Sequence, residues 1–178
     1  MIDDEDDDEY TYVGATKQAV KVMLGKVVQS IHVSDDEQFL KFTVQDDTFV
    51  YWSTWGDCCS ETWFADIIGV DNLIDNTVTD VSILEFNDDE LQDDRCRQEH
   101  DRFYGVRLST VKGTCDIIFR NSSNGYYGGE IRLASEEDMK KEAESDICWF
   151  QIEKDWQAGE SKYHDPFYSD EDYGEDDV

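Results

Sequence analysis

The sequence predicts an α+β fold: a single domain with one twisted antiparallel β-sheet, a meander, with one main helix packed on it and a short polar helix. Three observations predict it. Residues 26–55 contain three stretches of period-two alternation separated by acidic turns. Residues 60–69 place Trp63, Phe64, Ile67 and Ile68 on one helical face. Aromatic residues make up 13% of the chain, far more than an acidic disordered chain carries, so a packed core is expected.

The first strand is read over 26–34, where Val27, Gln29, Ile31 and Val33 alternate with Val28, Ser30, His32 and Ser34. Asp35-Asp36 turns the chain into 38–45, and Asp46-Asp47 turns it into 48–55. The helix follows, with Ser60 as N-cap, Glu61 in the first turn and Gly69 as the stop. Asp75-Asn76 forms a turn before a further strand over 77–86. Residues 87–102 are charged and lack an apolar stripe, which predicts a mobile excursion or a short exposed helix.

A hairpin is expected from 103–113 and 114–123 around Lys112-Gly113. The glycine-rich turn 124–129 leads into a strand at 130–134. Ser135 with Asp138 forms a capping box, and the Glu136–Lys140 and Glu137–Lys141 pairs support a short polar helix after it. Residues 146–156 read as the last strand. The domain boundaries are an acidic disordered tail at 1–12, the α+β domain at 13–160 and a second acidic disordered tail at 161–178.

Charge is the loudest feature. The formal net charge is -29 over 178 residues, from 44 Asp and Glu against 15 Lys and Arg. Residues 1–10 and 165–178 are rich in acids and contain no Lys or Arg. Such a surface repels anionic membranes and does not hold a nucleic-acid backbone, so neither is expected as a direct partner. An acidic start without a basic, apolar leader predicts no secretory signal, and no stretch approaches the ~20 apolar residues of a membrane span. The cytoplasm is the expected location.

Metal chemistry is weakly supported. Cys96 and His100 are four apart, but there is no C-x-x-C, and neighbouring cysteines on an extended segment face opposite ways. Of the five cysteines, Cys59, Cys115 and Cys148 are expected to be small buried apolar groups. Cysteine nucleophilic catalysis needs a cation or His beside the thiol, whereas Asp57 beside Cys58 pushes the thiol pKa upward. Carboxylate spacings carry no information when acids are this abundant, and no EF-hand loop is present. No catalytic residue, metal or cofactor is therefore assigned.

The blocks Gly56-Asp57-Cys58-Cys59-Ser60, Trp63, Ile67-Ile68-Gly69 and Arg120 to Gly129 (RNSSNGYYGG) resemble a family of uncharacterised domains of bacteriophages and bacterial genomes. The resemblance covers roughly 20–133. It implies no activity, and it implies a phage context.

With the charge, that context leads to a functional expectation: a phage-encoded acidic inhibitor, a DNA mimic, that blocks a host DNA-binding or anti-phage defence protein through its basic groove. The residues expected to carry it are Asp3, Asp4, Glu5, Asp6, Asp7, Asp8, Glu9, Asp88, Asp89, Glu90, Asp93, Asp94, Asp170, Glu171 and Asp172. The bland counterpart is acidity for solubility or salt adaptation. The alternative from another class is a small-ligand or nucleotide-binding module, or an enzyme, around Asp57, Cys58, Tyr126 and Tyr127. There, two tyrosines in a glycine-rich turn would stack a base.

Overall fold

Alternating apolar residues build a first sheet around the expected meander. The structure, a computed structural model, describes residues 14–143 and 146–159. The acidic tails at 1–12 and 161–178 lie outside the described residues. Strands β1 (Val28–Ser34), β2 (Phe39–Val44) and β3 (Thr48–Gly56) follow one another as antiparallel neighbours. Their inward residues Ile31, Val33, Leu40, Phe42, Val50 and Trp52 are buried. A short helix α1 (Lys17–Lys21) lies against this core, and the Trp52 indole Nε1 donates to the Ala19 carbonyl at 2.9 Å.

The sequence expectation of one sheet with a main helix is corrected at residues 60–69. Glu61–Ile68 is a strand, β4, and it belongs to a second sheet. Its apolar residues are consecutive because both of its faces are covered, a pattern that periodicity does not separate from a helix. Phe64 and Ile67 enter the main core, whereas Trp63 and Ala65 pack on the other face with Ala158. Strand alternation separates Trp63 and Ala65 from Phe64, and a bulge between Phe64 and Asp66 returns Ile67 to the core face. Only a single helical turn follows, α2 (Val70–Leu73), and Gly69 precedes it at φ 90°.

The second sheet is completed by β5 (Asp80–Leu84), β6 (His100–Thr110), β7 (Gly113–Ser123) and a two-residue β10 (Trp156–Gln157), in the order β10-β4-β7-β6-β5. The first sheet gains β8 (Gly129–Ala134) beside β3 and β9 (Trp149–Ile152) beside β1. All pairings between these strands are antiparallel, and one buried cluster draws from both sheets, so the core lies between two layers. The expected 103–123 hairpin is present. The expected last strand divides instead: β9 pairs in the first sheet and β10 in the second.

Residues 87–102 are also corrected. A single-turn helix α3 (Asp88–Leu91) is present, but residues 92–99 pack onto the outer face of the second sheet, and 100–102 open β6. By contrast, the polar helix after Ser135 is where the capping box placed it, as α4 (Glu136–Ala143). The Asp138 amide donates to Ser135 Oγ at 3.1 Å, and the Ser135 amide donates to Asp138 Oδ2 at 3.1 Å.

Candidate functional site

Two features of the molecule are built from polar groups that the core does not require. The first is the strap 92–99. In antiparallel register, Trp63, Arg120 and Phe103 lie side by side on the outer face of the second sheet, with Glu61, Ser122 and Asp101 beside them. Arg97 of the strap reaches across them. It bonds Glu61 at 2.6 Å and Glu37 at 2.5 Å, and its guanidinium lies 4.2 Å from the centre of the Trp63 ring. Arg120 bonds Asp93 at 2.6 Å and Asp101 at 3.2 Å and stacks on Phe103 at 4.5 Å. Arg95 holds Asp66 at 3.1 Å and Asp93 at 3.3 Å.

Three of these charges are buried, with Arg120 1% exposed, Glu37 1% and Asp101 0%, while Asp93 at the edge of the network is 39% exposed at its side chain. Burying an ion costs several kcal/mol unless partners satisfy it, and here five carboxylates face three guanidiniums that are planar enough to serve several at once. Asp101 also accepts from Ser122 Oγ and, at 3.1 Å, from the Cys96 thiol. Burial and then Asp101 push that thiol up to about 11. Burial lowers the pKa of Arg120, yet Asp93 and Asp101 outweigh it and hold the guanidinium above its ordinary value. Hydrogen bonds from Arg120, aided by Arg95, keep Asp93 far below the usual carboxylate range.

The second feature is a corner. Between β3 and β4 the chain leaves one sheet for the other through Asp57-Cys58-Cys59-Ser60, a turn closed by the Ser60 amide donating to the Asp57 carbonyl at 3.0 Å. Cys59 sits at φ 67°, the left-handed region that glycine usually supplies. The turn meets the glycine-rich loop 124–129. The Asp57 amide donates to Gly128 O at 3.2 Å, and the Gly128 amide donates to Asp57 Oδ2 at 3.3 Å. Gly56 and Gly129 pair across β3 and β8, and a Cβ on either would lie 2.6 or 2.4 Å from Thr62 Oγ1. Buried Asn121 donates to Ser60 Oγ and Thr62 Oγ1, both at 2.9 Å. The GDCCS and RNSSNGYYGG blocks are thus two halves of one junction.

Asp57, Cys58, Tyr126 and Tyr127 are accordingly brought to one end of the molecule. Tyr126 is 86% exposed, however, and a pocket of about 290 Å³ lies elsewhere, lined by Asp93, Asp94, Arg95, Gln157, Ala158 and Gly159. Cys58 and Cys59 are exposed, and so is Cys148; among these thiols only Cys115 is buried, where burial pushes it up to about 12. The expected buried role holds for Cys115 and is corrected for Cys59 and Cys148. Cys59 lies on a surface turn, and Cys148 precedes β9 on the exposed side. The neighbouring sulfurs also do not face apart, since the turn sets Cys58 Sγ 3.4 Å from Cys59 Sγ. Ser60 caps no helix, because none follows it.

The expected acidic residues fall into three groups. Asp89, Glu90 and Asp94 are exposed. Asp88 is half-buried and accepts from the Phe103 amide at 2.9 Å, whereas Asp93 is exposed but committed to Arg95 and Arg120. Asp3, Asp4, Glu5, Asp6, Asp7, Asp8, Glu9, Asp170, Glu171 and Asp172 lie outside the described residues. Sequence reasoning missed Arg95, Arg97, Arg120, Trp63 and Asp101 as a set. The signal available was two arginines two positions apart in an otherwise acidic run, which an extended chain presents on one side.

Among the described residues, no group of three or more His, Cys, Asp or Glu is arranged to hold a metal ion, and Cys96 spends its thiol on Asp101 rather than beside His100. No helix among them is long and apolar enough to cross a membrane. No curated protein and no solved structure matches the chain. Residues 21–133, which span both halves of the corner and the whole strap, match the family described as Domain of unknown function (DUF7448), and the chain belongs to that family.

Proposed function

We propose that this chain is a phage-encoded, non-enzymatic inhibitor that occupies the basic nucleic-acid-binding groove of a host DNA-binding or defence protein in the host cytoplasm. The observation that carries the reading is how the two signs of charge are distributed. Arg95, Arg97 and Arg120 are drawn into the strap network, and Arg107 is paired with Asp116 at 2.7 Å. The cations left exposed among the described residues are Lys21, Lys112, Arg132, Lys140, Lys141 and Lys154, and Arg132 is paired with Glu130. Exposed carboxylates outnumber them more than threefold. A two-layered body with three guanidiniums drawn into one network, and its carboxylates left outside in excess, presents a field like that of a phosphate backbone, without bases to read.

The test is capture of the partner from host lysate on the immobilised full chain, followed by titration of salt and of duplex DNA. Binding should fall steeply between about 50 mM and about 200 mM salt, and duplex DNA should displace the chain from its partner. A captured partner that binds equally well in the presence of saturating DNA would end the proposal.

A second reading, a ligand site at the corner, is favoured by one observation: Asp57 and Gly128 hold the two loops together. Cys58→Ser with an intact fold separates the readings, since partner capture survives it under the first and ligand binding is lost under the second.

A further inference from the structure

The corner turn holds a pair of thiols that neither the core nor the charged surface uses. Cys58 and Cys59 are both exposed, and their sulfurs stand 3.4 Å apart. The turn beneath them is fixed from four sides: by Ser60 N and Oγ donating to Asp57 O, by the paired Asp57 and Gly128 contacts, by Asn121 donating to Ser60, and by β3 and β4 running into different sheets. Two thiols with free approach from solvent are therefore presented together on a rigid support.

Their spacing discriminates between the two reactions open to a dithiol. A disulfide between them must draw the sulfurs to about 2.05 Å, and consecutive Cα atoms about 3.8 Å apart lie below the separation that a relaxed disulfide takes. An ion bound by both sulfurs asks for much less movement. With thiolate–metal bonds of about 2.3 Å, the two sulfurs are separated by roughly 3.3–3.8 Å as the angle at the ion opens from about 92° to about 110°. The observed spacing falls within that range. Soft thiolates select soft ions.

We infer that Cys58 and Cys59 form a two-thiol chelating site for a thiophilic centre of the class that trivalent arsenic represents. With an organic arsenoxide, R–As=O, the step is balanced: two S–As bonds replace two S–H bonds, and the arsenic oxygen leaves as water with both protons. No oxidant or reductant is required. The contact with Cys59, and to a lesser extent the Asp57 carboxylate, holds the Cys58 thiol above its ordinary pKa. The site is independent of the inhibitor reading above, because the acidic surface does not contain it.

The experiment uses the reduced full chain and phenylarsine oxide, read by native mass spectrometry and by competition with a small dithiol. Wild type should retain one phenylarsenic group per chain, with the mass change matching loss of one water. Cys58→Ser and Cys59→Ser should each weaken retention by about 100-fold or more, since one-point attachment forfeits the intramolecular second bond. Cys148→Ser, which removes the other exposed thiol, should retain the group as wild type does. Retention unchanged in Cys58→Ser, or lost only in Cys148→Ser, overturns the inference. So does a wild-type chain that forms the Cys58–Cys59 disulfide in air under the same conditions and takes up no arsenic.

Discussion

The strap 92–99 and the helix α4 are two charged segments of similar length and similar lack of apolar content, and they have opposite fates. The strap lies flat on a sheet, with Arg97 13% exposed at its side chain and bonded to a glutamate that is 1% exposed. Helix α4 is mostly exposed: Met139 is its buried residue, and its Glu137–Lys141 pair stands at 3.9 Å with both partners open to water. The same chemical classes therefore do structural work in one place and solvate the surface in the other. What differs is the surface beneath. The outer face of the second sheet offers Trp63, Phe103, Arg120 and Asp101, a polar and aromatic floor that a guanidinium can satisfy with both its plane and its donors.

That contrast can be broken most directly at Arg120. Arg120→Ala leaves Asp101 buried without its cation, and unfolding free energy should fall by about 3–5 kcal/mol. Urea unfolding measures this, and a loss under about 1 kcal/mol would show the network to be surface-like, no different in kind from α4.

Acid sharpens the same comparison. Asp93 has its folded pKa depressed, chiefly by Arg120. A depressed carboxylate contributes stability that is full above the unfolded pKa of about 3.9 and is lost as pH falls through the folded pKa. Stability should therefore decline below about pH 4 in wild type and decline less steeply in Asp93→Asn. Parallel acid profiles for the two proteins would remove Asp93 from the account.

The smallest effect belongs to α4. Lys141→Ala removes an exposed i,i+4 pair and should shift stability by no more than about 0.5 kcal/mol. A larger loss, measured in the same urea titration, would mean that this helix is anchored through contacts its exposure does not reveal.

Local chemistry was legible where it was self-contained. The alternation of residues 26–55 led to β1, β2 and β3 in order, and Lys112-Gly113 led to the β6–β7 hairpin, because strand period and turn residues are local properties. Ser135 and Asp138 predicted α4 because a capping box closes within four residues. The GDCCS and RNSSNGYYGG blocks stood out as a signature, and both proved to belong to one corner. Their contact was not legible, since Asp57 and Gly128 are far apart along the chain.

Three things were decided only by the tertiary structure. Residues 61–68 became a strand because the first sheet covers one face and the strap with Ala158 covers the other, and a run buried on both sides has no period to read. Residues 92–99 became ordered architecture because Glu37, Glu61 and Asp66 arrive from distant parts of the chain to meet Arg95 and Arg97, and Arg120 arrives to meet Asp93. Cys58 and Cys59 became neighbours in space because a turn with positive φ at Cys59, rather than an extended strand, carries them. Composition, the acidic balance and the period-two segments were determined by the sequence alone, because each is a property of neighbours along the chain. Which charges are buried, and which thiols meet, depends on partners that folding brings from distant strands.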